Sequence, residues 1–513
     1  MKPTGFEIRE YQKNITKTAS EKNTLVVLPT GMGKTLISVL VGTNRLEKYP
    51  ESKILITAPT RPLNAQHKKS FEQFTEIDPE EIVLITGKIN PEDREQLYKK
   101  AKIVVATPQT IKNDVTNGKL NLENFSFVTF DEAHRCVKDY AYNYVAKKYI
   151  EQSKFPLILG LTASPGSSAT KIKEIQENLF IEAVEIRSET DKDVEPYVKG
   201  IDKEWIYVDF PKEYQEIKSL LEEILKDQLF WLRDHHLIQT LKPSRKLLLM
   251  LQNRITAIFK GKRNYALIWA MMRTAMAIKL EHAIELLETQ EISSLNEYLR
   301  KVEASKKRTD QLLIKDQRMK DVMKKSEELK ELRHPKMEKV KSLVKDLTEE
   351  KAVIKIIVFA NYRSTVEKIK NVLLDEGVKA EEFIGQRMRE GKGLTQEQQI
   401  EKLRKFRDGE FNVLVSTSIG EEGLDVPAVD YAVFYEPVPS EIRTIQRRGR
   451  VGRQTAGKII FLITKDTRDE AYLWAALNKE KKMKGILYNL QNRIAKRPRK
   501  KKETKKTLKD WIE

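Results

Sequence analysis

The chain has a single cysteine, Cys136, in 513 residues. That excludes an intramolecular disulfide, and one thiol cannot make a cysteine-rich metal site. Long apolar runs are missing as well, so no stretch is expected to span a bilayer. The opening MKPTGFEIREYQ lacks the apolar core and cleavage pattern of a signal peptide, and a cytoplasmic location is expected. Histidine is scarce, six in all, and the adjacent pair His235 and His236 has no second ligand pair at useful spacing, so a structural role is expected there rather than zinc. No repeat of a few tens of residues is evident. Positive charge, by contrast, is abundant: 94 Lys and Arg stand against 75 Asp and Glu, a formal charge of +19. A balance of that kind suits a polyanion, and without a membrane segment nucleic acid is the better match.

A hydrophobic fraction of 40% supports globular packing, and the length is too great for one ordinary core. From residue 24 to about 200, apolar runs such as TLVVL, KILITAP, EIVLIT, KIVVATP, FSFVTF and FPLILGLTA alternate with helical patterns. Such alternation predicts βαβ units and a parallel sheet covered by helices on both faces. It stops near residue 205. From there to about 330, segments such as KSLLEEILKDQLFWL and YALIWAMMRTAMAIKLEHAIELLE place apolar residues three and four apart, which predicts a helical insertion with the methionines and aromatics in its core. Beyond His334 and Pro335 the alternation resumes with IKIIVFA, FNVLVSTS, YAVFYEP and GKIIFLIT, predicting a second α/β domain; from about 479 the chain turns helical and then strongly basic.

LPTGMGKT, residues 28–35, follows an apolar strand and opens a helix. Glycines there let backbone N–H groups and a helix N-terminus face phosphate oxygens. Thr30, Gly31 and Gly33 would form the loop, Lys34 would reach the β and γ phosphates, and the Thr35 hydroxyl would ligand Mg²⁺. Leu28 stands where the general phosphate-loop pattern has glycine, so this is the variant Thr-Gly-x-Gly-Lys-Thr. A second signal is DEAHRCVK, whose adjacent carboxylates Asp131 and Glu132 follow the strand FSFVTF. They could cap the helix expected over YAYNYVAKKYI. Beside a bound ATP they would instead act in chemistry, Asp131 on Mg²⁺ and Glu132 orienting and deprotonating the attacking water, with His134 a coupling residue facing the second domain. EIRTIQRRGRVGR adds Gln446, Arg450 and Arg453, the arginines about one helical turn apart and suited to the transition-state charge on a γ-phosphate. Arg447 and Arg448 could equally serve a basic helix facing nucleic acid.

LPTGMGKT, APTRPL, ATPQT, DEAH, LTASPG, IVFANYR, STSIGEEGLDVP and QRRGRVGR follow the order and approximate spacing of the motifs of superfamily 2 helicases. DEAHRCVKDYAYNYVAKKY, PVPSEIRTIQRRGR and TRDEAYLW resemble the helicase module of archaeal Hef, related to the Fanconi anaemia M translocase, and more distantly the RNA-sensing RIG-I-like helicases. The resemblance implies an α/β fold of two RecA-like parallel-sheet motor domains with an inserted all-helical domain. The expected segments are 1–204 (ATP-binding motor), 205–332 (helical insertion gripping branched DNA), 333–478 (second motor) and 479–513 (C-terminal helix and basic tail). It implies adenine recognition by Gln12 with Arg9 nearby, coupling through Thr162 and Ser164, and nucleotide contacts from Gly423 and Asp425. It places Arg61, Thr107, Arg363, Thr417 and Ser418 along a nucleic-acid strand, where phosphate contacts are sequence-independent.

The activity so implied is an ATP- and Mg²⁺-dependent DNA helicase or translocase moving 3′ to 5′ on forks and junctions, of archaeal origin. An RNA-duplex translocase or sensor, and an ATP-gated junction binder without unwinding, are the alternatives. Lys242, Arg245, Lys246, Lys260, Lys262 and Arg263 are expected fork contacts, or else a solvated helix face. The ERKxxxD signature of the nuclease that accompanies Hef modules is missing from the sequence. KRPRKKK reads as a linker or DNA-binding tail, and KKTLKDWI, with Leu508 and Trp511, is similar to a sliding-clamp binding peptide without its leading glutamine.

Overall fold

The computed structural model describes residues 5–189, 191–197, 202–261, 264–350, 354–385, 393–417, 427, 429–437 and 457–495. Two compact units divide the chain. Residues 5–197 form the first together with the C-terminal helix from Leu477 onward, and most of the rest up to Ala476 forms the second.

In the first unit the short apolar runs are strands: β1 (Thr24–Val27), β2 (Lys53–Thr57), β3 (Ile82–Ile85), β4 (Ile103–Ala106), β5 (Phe125–Phe130), β6 (Ile158–Thr162) and β7 (Ala183–Ile186). They pair in parallel in the order β3-β4-β2-β5-β6-β1-β7. Residues of β1, β4, β5 and β6 are buried without exception, as expected for strands covered on both faces. Among the described residues up to 197, the helices of this unit are α1 (Glu10–Ala19), α2 (Lys34–Lys48), α3 (Arg61–Phe74), α4 (Pro91–Lys100), α5 (Pro108–Thr116), α6 (Ala141–Gln152) and α7 (Ala169–Asn178). Ile37 and Val41 of α2 and Phe71 of α3 share one core with Val26, Ile54, Ile56, Ile103, Val105 and Leu161 from the strands. Gly42 is where α2 meets the sheet most closely: a Cβ there would lie 2.9 Å from Ile54 Cδ1.

The second unit begins with β8 (Asp202–Val208) and the helices α8 (Lys212–Asp234), α9 (Arg245–Gly261), α10 (Tyr265–Thr289), α11 (Ile292–Glu303), α12 (Arg308–Lys315) and α13 (Gln317–Glu328). On α8 the buried residues Tyr214, Ile217, Leu221, Ile224, Leu225 and Leu232 recur at helical spacing. They join Met276, Leu280 and Leu287 of α10 and Leu295 and Leu299 of α11 in one core. Met272 and Met276 are buried as expected, but the first turn of α10 is not, and Tyr265 is 73% exposed. His235 stacks on Trp231 at the end of α8, their ring centroids 3.8 Å apart.

α14 (Pro335–Glu350) leads into β9 (Ile356–Phe359), α15 (Arg363–Asp375), β10 (Ala380–Phe383), α16 (Gln396–Asp408), β11 (Val413–Ser416), β12 (Tyr431–Phe434), β13 (Lys458–Thr464) and α17 (Arg468–Ala495). The second sheet is also wholly parallel, in the order β10-β11-β9-β12-β13-β8. Two expected boundaries need correction. β8 crosses the one at 204/205, pairing from Asp202 to Val208 with Lys458 to Thr464 of β13. It is an edge strand with alternate residues exposed, so it lacks the solid apolar run of its neighbours. The boundary at 478/479 falls inside the uninterrupted α17.

Candidate nucleotide site

In a parallel sheet, the loops that follow the C-terminal ends of the strands share one edge, where ligands of open α/β sheets collect. Register brings those ends level. Val27 of β1 pairs with Thr162 of β6, and Phe130 of β5 pairs with Gly160 of β6 and Thr57 of β2. Thr57 in turn pairs with Ala106 of β4. The phosphate loop therefore leaves β1 on the same edge as Asp131 after β5 and Ser164 after β6.

The loop needs its glycines. Gly31 and Gly33 adopt φ of 85° and 70°, the left-handed region that side chains disfavour. Gly33 caps α2, and a Cβ on it would meet Gln12 Nε2 at 2.6 Å, so the expected adenine reader lies directly against the phosphate loop. α1 fixes that contact. Gln12 is buried, its Oε1 accepts the Arg9 N–H at 3.0 Å, and the Tyr11 hydroxyl donates to the Met32 carbonyl at 2.9 Å. The Arg9 guanidinium lies 5.4 Å from the Tyr197 ring centroid. Lys34 Nζ reaches the Leu28 and Pro29 carbonyls at 3.1 and 3.3 Å. Thr35 follows it in the first turn of α2, partly exposed. The Thr30 hydroxyl is buried and has no hydrogen-bond partner among the described residues.

The two carboxylates do not cap the helix over AYNYVAKKYIEQ. α6 begins at Ala141 with Tyr140 as its N-cap, and a separate 3-10 turn, Ala133–Arg135, follows the acidic pair. Asp131 is held instead from several sides. Its Oδ2 lies 2.9 Å from His67 Nε2, its Oδ1 accepts the Glu132 N–H at 2.9 Å, and its carbonyl accepts the Tyr142 hydroxyl at 2.6 Å. Burial alone would raise its pKa; the hydrogen bond from His67, Lys34 and the Glu132 N–H outweigh it, and the carboxyl sits below its ordinary value. Glu132 occupies the left-handed region at φ 51°, a strained position of the kind that clusters at functional sites. Its Oε2 is buried 3.2 Å from His134 Nδ1, out of line for a hydrogen bond. His134 Nδ1 also lies 3.3 Å from Thr162 Oγ1, and that hydroxyl accepts the Ser164 N–H at 3.1 Å. The coupling candidates His134, Thr162 and Ser164 thus form one chain leading from Glu132, ending where the Ser164 hydroxyl meets Met483 Sδ of α17 at 2.9 Å.

Two of the residues expected along a nucleic-acid strand follow other strands of this first sheet, at the same edge. Arg61 opens α3 after β2, and Thr107 caps α5 after β4 with its hydroxyl 2.9 Å from Thr110 Oγ1. In the second unit Arg363 opens α15 after β9 and donates to the Gly385 carbonyl at 3.0 Å, while Thr417 follows β11 and is buried. On the insertion, Lys242, Lys246 and Lys260 are exposed, whereas Arg245 is engaged by Glu285 at 2.6 Å. Ser418, Gly423, Asp425, Gln446, Arg450, Arg453, Lys262, Arg263, Leu508 and Trp511 lie outside the described residues.

Among the described residues no three His, Cys, Asp or Glu side chains cluster to hold a metal. One carboxylate and one hydroxyl suit Mg²⁺ bound with nucleotide, because that ion keeps several waters and takes its other ligands from phosphates. Sequence reasoning missed Tyr11, His67 and Tyr142. Their roles depend on which strands are neighbours, and REYQ alone carried a signal, through Gln12.

The solved structure of the Pyrococcus furiosus Hef helicase domain is 47% identical, superposes with a TM-score of 0.72, and covers 91% of this chain and 98% of that one. This chain belongs to the Hef helicase-domain family. The Hef-type assignment agrees with the family models: DEAD/DEAH box helicase over residues 9–172, helicase conserved C-terminal domain over 335–455, and, over 213–334, a helical bundle provisionally described as that of ATP-dependent RNA helicases. A Methanocaldococcus jannaschii protein provisionally named an ATP-dependent RNA helicase is 44% identical over 96% of this Hef-type chain and 62% of its own length. The ATP-dependent DNA helicase mph1 of Neurospora crassa is 33% identical over 91% of this chain and 42% of its own. The chain thus spans less than two thirds of these curated relatives. Among the described residues no helix is long and apolar enough to cross a membrane.

Proposed function

We propose that this chain is the motor of an ATP-driven DNA helicase or translocase that moves 3′ to 5′ and remodels forks and junctions. The observation that carries this reading is the grouping of Lys34, Thr35, Asp131 and Glu132 on one sheet edge, with Gln12 against Gly33. In this reading the loop and Lys34 hold the phosphates of ATP, and Thr35 and Asp131 hold Mg²⁺, which neutralises phosphate charge when bound. Glu132 takes the proton of the attacking water, and Arg450 and Arg453 meet the charge that develops on the γ-phosphate. The helical insertion, Lys212 to Glu328, is the part that grips branched DNA. Arg61, Thr107, Arg363, Thr417 and Ser418 follow the strand by its phosphates.

The experiment is steady-state ATPase with single-stranded DNA, duplex DNA, a model fork and the matching RNAs, at two salt concentrations because phosphate binding is steeply salt-dependent. Fork-preferring stimulation, lost in Lys34→Ala and Glu132→Gln with nucleotide binding retained in the second, is the expected result. Equal turnover in native and variant chains would overturn the assignment. A second reading, action on RNA duplexes, is favoured by the name of the Methanocaldococcus jannaschii relative. Stronger stimulation by RNA than by DNA would move the conclusion there.

A further inference from the structure

His67 lies on α3, six residues after Arg61, and its side chain is 2% exposed. It reaches across from the helix after β2 to the end of the adjacent strand β5, where Nε2 stands 2.9 Å from Asp131 Oδ2. His67 Nδ1 is buried without a hydrogen-bond partner among the described residues, so Nε2 carries the proton and donates it to the carboxylate. The backbone of Asp131 is fixed independently: its N–H donates to the Thr57 carbonyl at 2.9 Å, and its carbonyl takes the Tyr142 hydroxyl. What those bonds leave free is rotation of the carboxylate. The Glu132 N–H on Oδ1 and His67 on Oδ2 remove it, one at each oxygen, while each oxygen keeps lone-pair capacity.

We infer that His67 is a positioning residue for the magnesium of bound nucleotide, acting through Asp131. This rests on the reading of Asp131 as a magnesium residue. By holding Oδ2, the imidazole presets the carboxylate orientation, so that the ion meets an ordered ligand. Partners that orient a metal ligand from outside characteristically change affinity for the metal about 10- to 100-fold when removed.

The test is equilibrium binding of a fluorescent, non-hydrolysable ATP analogue titrated with Mg²⁺, for the native chain and for His67→Leu, His67→Gln and Asp131→Asn, with thermal melts alongside. Gln places an amide N–H close to where Nε2 stands; Leu keeps volume without a donor. The expected result is a rise of about 10- to 100-fold in the Mg²⁺ needed for half-saturation in His67→Leu. Binding in the presence of chelator should be unchanged, and His67→Gln should return to within a few-fold of native. If Asp131→Asn shifts the Mg²⁺ dependence and His67→Leu does not, the inference fails and the reading of Asp131 stands. If neither shifts, both fall. Should His67→Leu not fold, a native Mg²⁺ dependence in His67→Gln supports the donor role. A His67→Gln chain that folds but binds as weakly as Asp131→Asn overturns it.

Discussion

Lys336→Met should cost the second unit about 3–5 kcal/mol, because it leaves a buried carboxylate without its cation. Lys336, on α14, and Asp469, on α17, are both fully buried, with Nζ 2.7 Å from Oδ2. The ammonium also lies 5.1 Å from the Tyr435 ring centroid. Among the described residues, Asp469 Oδ2 has one further donor, the Thr464 N–H at 3.1 Å, while its Oδ1 has no hydrogen bond. Methionine fills the space of the lysine stem, so the loss is electrostatic rather than a cavity. At roughly 2–4 °C per kcal/mol, the melting transition of this unit should fall by about 6–20 °C. Neutralising both partners in Lys336→Met/Asp469→Asn should recover most of that, since exchanging a buried pair for neutral groups is often nearly free of penalty. A double-mutant cycle followed by urea unfolding gives the coupling directly. A loss below about 1 kcal/mol in Lys336→Met, with no recovery in the double variant, would refute the reasoning.

The same region sets a pH dependence. Burial pushes Glu436 from an ordinary 4.5 up to about 7, against the pull of Lys336 and the Asn361 N–H. A raised folded-state value means the folded chain binds the proton more tightly, so this stability is full below pH 4.5 and is lost as pH rises through 7. The change is on the order of 3 kcal/mol, and urea midpoints at pH 5 and pH 8 should show it in the native chain and not in Glu436→Gln. Gly33→Ala forces a side chain into the left-handed region and against Gln12, and should abolish nucleotide binding in a fluorescence titration while lowering stability by only about 1–2 kcal/mol. Tyr11→Phe removes one hydrogen bond to the Met32 carbonyl, worth about 0.5–1.5 kcal/mol, and should weaken nucleotide binding by up to about tenfold without moving the pH profile.

Strands buried on both faces were legible because their apolar runs are solid and bounded by turns, and the phosphate loop because it stands between a strand and a helix. β8 was not. With three consecutive charged residues at its start and no buried position along an exposed edge, DKEWIYV resembles the charged helical segments that follow, and only pairing with β13 makes it a strand. The acidic pair was legible as chemistry but ambiguous as a cap, and the intervening 3-10 turn decides against the cap. His67 was beyond reach for a different reason. Its partner lies 64 residues away, and nothing in APTRPLNAQH states that β2 will pair with β5.

The order of the first sheet also bears on how this motor could diverge. Residues assigned to ATP follow β1 and β5, and those assigned to the polymer in this sheet follow β2 and β4, on the far side of β5. With strands about 4.8 Å apart, the β1 and β4 loops are separated by roughly 19 Å, beyond the distance at which substitutions usually interact. On the proposed assignment of these residues, fuel use and grip on the track should therefore be separately adjustable by mutation. The exception is the seam at β5, where Asp131 is bonded to a histidine from the polymer side, and where a change on either side is felt by both.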